Sequence, residues 1–231
     1  MAWSSGITRW FTSTDRSAFV RDLLSRMKVV VLSYNSPERG RAFDLIRQVR
    51  KETGMLLADI EAYNIHMAVR RTEKVPGDIA EVGVFRGGSS KIISESKGGR
   101  ALYLFDTFEG LPKADRIDRS FHKGQFAASF EEVKDYLKAY PDVHIYKGWF
   151  PKTADPILDK AFSFVHLDVD IYESTRDCLG FFYPRMSRGG IIISHDYFNS
   201  DGVRKAVDEF FADKPEPVIE MPGSQCLIVK A

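Results

Sequence analysis

From about Gly77 onward the sequence alternates short β-branched and aromatic runs, DIAEVGV, ALYLF, VHIY, FSFVHLD and GIIIS, with segments long enough for crossover helices. Parallel strands cannot be joined by tight turns, so this alternation predicts a doubly wound, mostly parallel α/β sheet with helices on both faces. Ser129, with Glu132 three places on, marks a helix start, and Pro141 should stop that helix after Tyr140. A second helix is expected from about Ser174 to Met186, ending near Gly189-Gly190, and a third from roughly Gly202 to Ala212. The closing PEPVIEMPGSQCLIVKA reads as two short strands around a Pro-Gly turn, an antiparallel hairpin at one side of the sheet.

The first 75 residues differ, because RGRAFDLIRQVRKETG and ADIEAYNIHMAVRRTEK have helical spacing. Residues 1–75 are expected to form a helical appendage, a lid over the sheet, and residues 76–231 the main domain. MKVVVLSY around Val30 fits a strand or a buried helical turn equally well. At 231 residues and 44% hydrophobic, the chain is long enough for one full core. With 33 Lys+Arg against 32 Asp+Glu there is no basic field to hold nucleic acid. The two cysteines, Cys178 and Cys226, make no disulfide framework, the N-terminus has no secretory plan, and no apolar run spans a bilayer. A cytoplasmic setting without membrane contact is expected, and Trp3, Trp10 and Phe11 near the terminus raise self-association into a homo-oligomer.

GDIAEVGVFRGGSSKII runs strand, glycine turn, helix, the arrangement that receives a nucleotide-like ligand at a helix N-terminus. Gly83, Gly87 and Gly88 are spaced G-x-x-x-G-G, unlike the G-x-G-x-x-G of dinucleotide sites. Glu81 would repel a pyrophosphate but attract an ammonium group, which favours S-adenosylmethionine, with Ser89 and helix N–H groups taking its carboxylate. Asp106, ending the second strand, is placed to accept ribose hydroxyls of either kind of ligand. In KGWFPKTADP, Gly148 permits close approach and Trp149 offers a face to adenine. Bland readings stand beside these: Glu81 and Asp106 as turn-capping acids, and Trp149 as ordinary core.

FVHLDVDIYES begins as a buried strand and ends in Asp168 and Asp170, while GGIIISHDYF delivers His195 and Asp196 to the same edge. Ligands in doubly wound sheets lie beyond the carboxyl ends of the strands, so Asp168, His195 and Asp196 are candidates to hold a divalent cation, magnesium or a transition metal. Asp168 and His195 are the catalytic candidates. Asp170 is expected to support the site, cap the next helix or pair with Arg176. His122 and Arg86 are weaker candidates and stay outside the catalytic set.

VPGDIAEVGVFRGGSS, YLFDTFEGLP, KGWFPKT, HLDVDIYEST with YPRMSRGG, and SHDYF together resemble the macrocin O-methyltransferase family, which includes mycinamicin and aminocoumarin sugar methyltransferases. The resemblance runs from about Val75 to the C-terminus and implies a class I methyltransferase fold and methyl transfer from S-adenosylmethionine to a hydroxyl of a small molecule. Carried over by position, it implies that Glu81, Gly83 and Ser89 hold the methionine part, Asp106 lies by the ribose and Gly148-Trp149 by the adenine. Asp168 matches the first metal ligand and a base. Where the family typically has an Asp-Asp pair this chain has His195-Asp196, which leaves open a different metal or a metal-free reaction with His195 as base. A non-catalytic binding module and an NAD-dependent dehydrogenase are the remaining rivals.

Overall fold

Every position of the strand Phe162–Leu167 is buried, as a central strand covered on both faces requires. In chain order the elements are α1 (Pro37–Thr53), α2 (Asp59–Arg71), β1 (Asp78–Val82), α3 (Gly88–Ser96), β2 (Leu102–Asp106), α4 (Phe130–Leu137), β3 (Val143–Lys147), β4 (Phe162–Leu167), α5 (Tyr172–Phe182), β5 (Met186–Ser194), α6 (Asp201–Phe211), β6 (Ile219–Glu220) and β7 (Cys226–Val229). The structure, a computed structural model, describes Leu23, residues 36–113 and residues 116–231. The segment around Val30 and the aromatic residues Trp3, Trp10 and Phe11 lie outside the described residues. The chain divides into two units, Met1–Leu45 and Ile46–Ala231, so the change in sequence character near residue 75 falls inside the second.

Among the described residues the sheet has seven strands in the order β3-β2-β1-β4-β5-β7-β6. β3 to β5 are parallel neighbours, and β7 runs antiparallel to both β5 and β6. The expected doubly wound sheet and its C-terminal hairpin are both present. The chain reverses its direction of travel across the sheet between β1 and β4, which opens a crevice at their carboxyl ends. Phe162, Phe164 and Phe182 are fully buried, each contributing about 1.5–3 kcal/mol of transfer free energy. Phe182 stacks on Phe150 with ring centroids 5.1 Å apart and meets Phe162 edge-on at 5.2 Å, which pins α5 against β4.

Ser129 caps α4 by accepting the Glu132 N–H at 3.3 Å, and Ser200 caps α6 through the Val203 N–H at 3.2 Å. Two helix ends differ from expectation. α4 stops at Leu137, and the Tyr140 N–H closes a turn onto the Leu137 carbonyl before Pro141 is reached. α5 ends at Phe182, followed by a tight turn over Tyr183–Arg185, and Gly189-Gly190 belong to β5. There the strand bulges, since Phe162 pairs with Met186 while Phe164 pairs with Ile191. Gly189 takes φ +81° within that bulge, a conformation open to glycine and costly to a β-branched residue. No helix among the described residues is long and apolar enough to cross a membrane.

Candidate active site

Strand register carries three loop beginnings to one place. Val82 pairs with Leu167, and Leu167 with Ser194, so the residues that follow, Gly83, Asp168 and His195, stand in a row. The Asp168 N–H donates to the Val82 carbonyl at 2.9 Å and the His195 N–H to the Leu167 carbonyl at 2.8 Å. Above this row lies a cavity of about 330 Å³. Gly83, Ser89, Asp106, Gly148, Trp149, Asp168, His195 and Asp196 line it, and so does Asp170, whereas Glu81 does not. His122 is exposed and away from the cavity wall.

Glu81 sits beneath the glycine turn with no exposed surface. One oxygen accepts a hydrogen bond from Ser90 in α3, and the other lies 2.8 Å from His166 Nδ1 on β4. Its carboxylate therefore ties the first turn of α3 to the sheet, a role that the unbroken burial of Ile79 to Val82 along β1 does not reveal. Asp106 also turns its oxygens to the backbone: Oδ2 accepts the N–H groups of Val84 (2.7 Å) and Phe85 (2.8 Å), and Oδ1 that of Phe108 (2.7 Å). Burial raises the Asp106 carboxyl above its ordinary value, and these three N–H groups offset part of the rise. Phe85 and Phe108 take φ +49° and +56°, left-handed conformations that the Asp106 bonds hold in place.

Asp168, Asp170, His195 and Asp196 form one cluster. His195 Nδ1 is 3.0 Å from Asp168 Oδ1 and 3.2 Å from Asp196 Oδ2, and Nε2 is 3.4 Å from Glu61 Oε2 on α2. Burial alone would lower the His195 pKa, but Asp168, Asp196 and Glu61 hold its conjugate acid far above the ordinary histidine range. Burial likewise opposes ionisation of Asp168, and the charge of His195 overrides it, so Asp168 stays below the usual carboxylate range. Asp170 goes the other way. Burial first, then Asp168 and Asp196, push its carboxyl well above the ordinary value, which favours the protonated form beside Asp196. The expected roles of capping and of pairing with Arg176 fall elsewhere: Arg176 binds Asp177 at 2.9 Å, and the first N–H of α5, on Tyr172, goes to Asp118 at 3.0 Å.

Among the described residues, Asp168, His195 and Asp196 each offer a ligand atom within 4.8 Å of the others. Ions with near-octahedral ligands at about 2.1 Å bring neighbouring ligand atoms to about 3 Å apart, close to the separations around Nδ1. His195 Nδ1 is buried and makes no hydrogen bond, although two carboxylate oxygens lie 3.0 and 3.2 Å away. The donor set thus fits a divalent cation.

Sequence reasoning missed Glu61, Ser224 and the apolar wall formed by Met55, Leu57, Phe85 and Phe126. Arg50 builds part of that wall, donating to the carbonyls of Met55 (2.8 Å) and Leu57 (2.5 Å) and to Asp59 (2.6 Å). Helical spacing around Arg50 gave no hint that its guanidinium reaches past the helix end.

The Macrocin-O-methyltransferase (TylF) family model matches residues 53–222. The 8-demethyl-8-(2,3-dimethoxy-alpha-L-rhamnosyl)-tetracenomycin-C 4'-O-methyltransferase of Streptomyces olivaceus is 33% identical over 169 residues, 65% of this chain and 64% of that protein. Demethyldecarbamoylnovobiocin O-methyltransferase of Streptomyces niveus is 32% identical over 155 residues, 60% of this chain and 59% of that protein. The alignments thus span about three fifths of the relatives' length. Among solved structures, the O-methyltransferase NovP is 28% identical with a TM-score of 0.68 over 77% of this chain and 82% of its own. The calicheamicin methyltransferase CalS11 shares the fold at 20% identity, with a TM-score of 0.66 over 85% and 94% of the two chains. Since the family model matches residues 53–222, well over half of its length, the chain belongs to the macrocin-O-methyltransferase family.

Proposed function

We propose that this chain transfers the methyl group of S-adenosylmethionine to a hydroxyl of a small molecule, a sugar or polyol-bearing natural product, with help from a divalent cation at Asp168, His195 and Asp196. The observation that carries this reading is the row Gly83, Asp168, His195, which brings a glycine turn fit for a methionine moiety and an acid-histidine cluster into one cavity. Relatives named as O-methyltransferases of a rhamnosyl-tetracenomycin and of demethyldecarbamoylnovobiocin support the acceptor class.

S-Adenosylmethionine supplies an electrophilic methyl on a sulfonium. The N-terminus of α3 with Ser89 suits its carboxylate, and Trp149 and the Asp106-braced loops form the wall beside its nucleoside. The acceptor oxygen attacks the methyl carbon in line, the C–S bond breaks with its electron pair on sulfur, and the hydroxyl proton passes to a carboxylate. Asp168, kept ionised by His195, suits that proton. A cation held by Asp168, Asp196 and His195 Nδ1 would supply polarisation of the acceptor oxygen. Alignment of the two substrates contributes on the order of 7–11 kcal/mol.

His195 as sole base is less well supported, because the carboxylates around it favour its protonated form. Asp168→Ala tests the reading: turnover with S-adenosylmethionine and a glycosylated acceptor should fall by ~10²-fold or more, while calorimetry shows the methyl donor still binding. Wild-type turnover in that variant would overturn it.

A further inference from the structure

The protons around His195 can be assigned from its neighbours. Ser224 Oγ spends its only proton on Glu61 Oε1 at 2.8 Å, so it faces His195 Nε2, 3.0 Å away, with a lone pair. Glu61 Oε2 is the other group near that nitrogen, at 3.4 Å, and it too can only accept. Nε2 must therefore carry a proton, which leaves Nδ1 as the nitrogen able to act as a ligand once the imidazole is neutral. Nδ1 lies 3.0 Å from Asp168 Oδ1 and 3.2 Å from Asp196 Oδ2, so a proton there, or a metal ion that displaces it, is shared with both carboxylates.

Glu61 is well fixed for this task. It is 6% exposed, its Oε2 accepts the Ala58 N–H at 2.7 Å and its Oε1 the Ser224 N–H at 2.7 Å. The turn that brings Ser224 in passes so near that a Cβ on Gly223 would lie 2.6 Å from Glu61 Oε1. Glu61 thereby joins the first turn of α2 to the loop between β6 and β7, across the back of the His195 ring.

We propose that Glu61 and Ser224 are positioning residues that present His195 Nδ1 as a nitrogen ligand, and that the centre takes a later first-row transition ion in preference to magnesium. The inference rests on the metal-assisted reading above. Its chemistry is that of ligand softness: imidazole favours the later transition ions, whereas an all-carboxylate set suits magnesium. Partners that hold a ligating histidine by its far nitrogen typically matter 10–100-fold in metal affinity.

The test uses the full-length chain freed of metal by chelation and titrated calorimetrically with Mg²⁺ and with Co²⁺, with the visible bands of the Co²⁺ adduct recorded as a signature of nitrogen ligation. Co²⁺ should bind at least ~10-fold more tightly than Mg²⁺. Glu61→Gln and Ser224→Ala should each weaken Co²⁺ by about 10–100-fold and shift its bands, and His195→Asp should move the preference toward Mg²⁺. Ser224→Ala keeps the main-chain bond to Glu61, so it remains informative where Glu61→Gln fails to fold. Unchanged Co²⁺ affinity and spectrum in Ser224→Ala, or equal affinity for the two ions in the wild type, would overturn the inference alone. Failure of the wild type to bind either ion would overturn the metal-assisted reading itself.

Discussion

The carbonyl oxygen of Asp168 occupies the space where a side chain on Gly83 would begin: a Cβ there would come within 1.8 Å of it. Gly83 also sits at φ +91°, and its N–H is bound to the Phe105 carbonyl at 2.9 Å, so it cannot swing aside without breaking the sheet end. Gly83→Ala should therefore destabilise the fold by about 2 kcal/mol or more. Urea unfolding gives the measurement, and a wild-type midpoint would refute the close approach.

Metal removal separates two chemistries. Thorough chelation should abolish turnover, and adding back a divalent ion should restore it, since the reading gives acceptor polarisation to an ion at Asp168, His195 and Asp196. Turnover that survives chelation and then disappears in His195→Ala would instead favour a metal-free reaction with His195 as base.

Asp118 docks the loop after β2 against the catalytic end of the sheet. It is 2% exposed, accepts the Tyr172 N–H at the start of α5, and packs so closely on α6 that a Cβ on Gly202 would meet its Oδ1 at 1.9 Å. Asp118→Ala should cost about 1–3 kcal/mol of stability. It should also raise KM for the acceptor more than for the methyl donor, because Leu111 and Pro112 of the same loop line the cavity. Steady-state kinetics with each substrate varied in turn would show it, and equal effects on both would argue against a loop-specific role.

Glu216 gives a pH dependence far from the site. Burial would raise its carboxyl, but hydrogen bonds from Lys230 (2.5 Å) and Tyr183 (2.8 Å) bring its pKa down to about 2. A lowered folded-state pKa means that this carboxylate stabilises the fold above its unfolded value of 4.5, and that the contribution is lost as pH falls from 4.5 toward 2. Glu216→Gln should be less stable than wild type at pH 7, with the gap closing in acid. Thermal melts at pH 7 and pH 3 would check this, and a gap that widens in acid would contradict the sign.

Much of the architecture is legible in the sequence because it follows from local period and composition. The five parallel strands, the Ser129 cap and the Pro-Gly hairpin each rest on residues adjacent in the chain. Asp168, His195 and Asp196 are legible as a cluster for a related reason: once strands are parallel and in register, residues just past their ends must share an edge. Glu81 and Asp106 show where such reasoning stops. Their positions at strand ends were readable, but the partners of their oxygens, Ser90 and His166 for one and three loop N–H groups for the other, come from packing across the turn.

The sequence by itself determined the sheet, its direction and the identity of the acids and histidine at its edge, since hydrophobic period and strand ends are local properties. Only the tertiary structure decided which of those groups is ionised and which way each atom faces. Asp168 and Asp170 are two residues apart in sequence, yet the charge of His195 lowers the pKa of one, while burial and then the charges of Asp168 and Asp196 raise that of the other. The orientation of His195 depends on Glu61 and Ser224, 163 positions apart in the chain. Electrostatic and hydrogen-bond energies depend on distance in space, and no pattern along the chain encodes that distance.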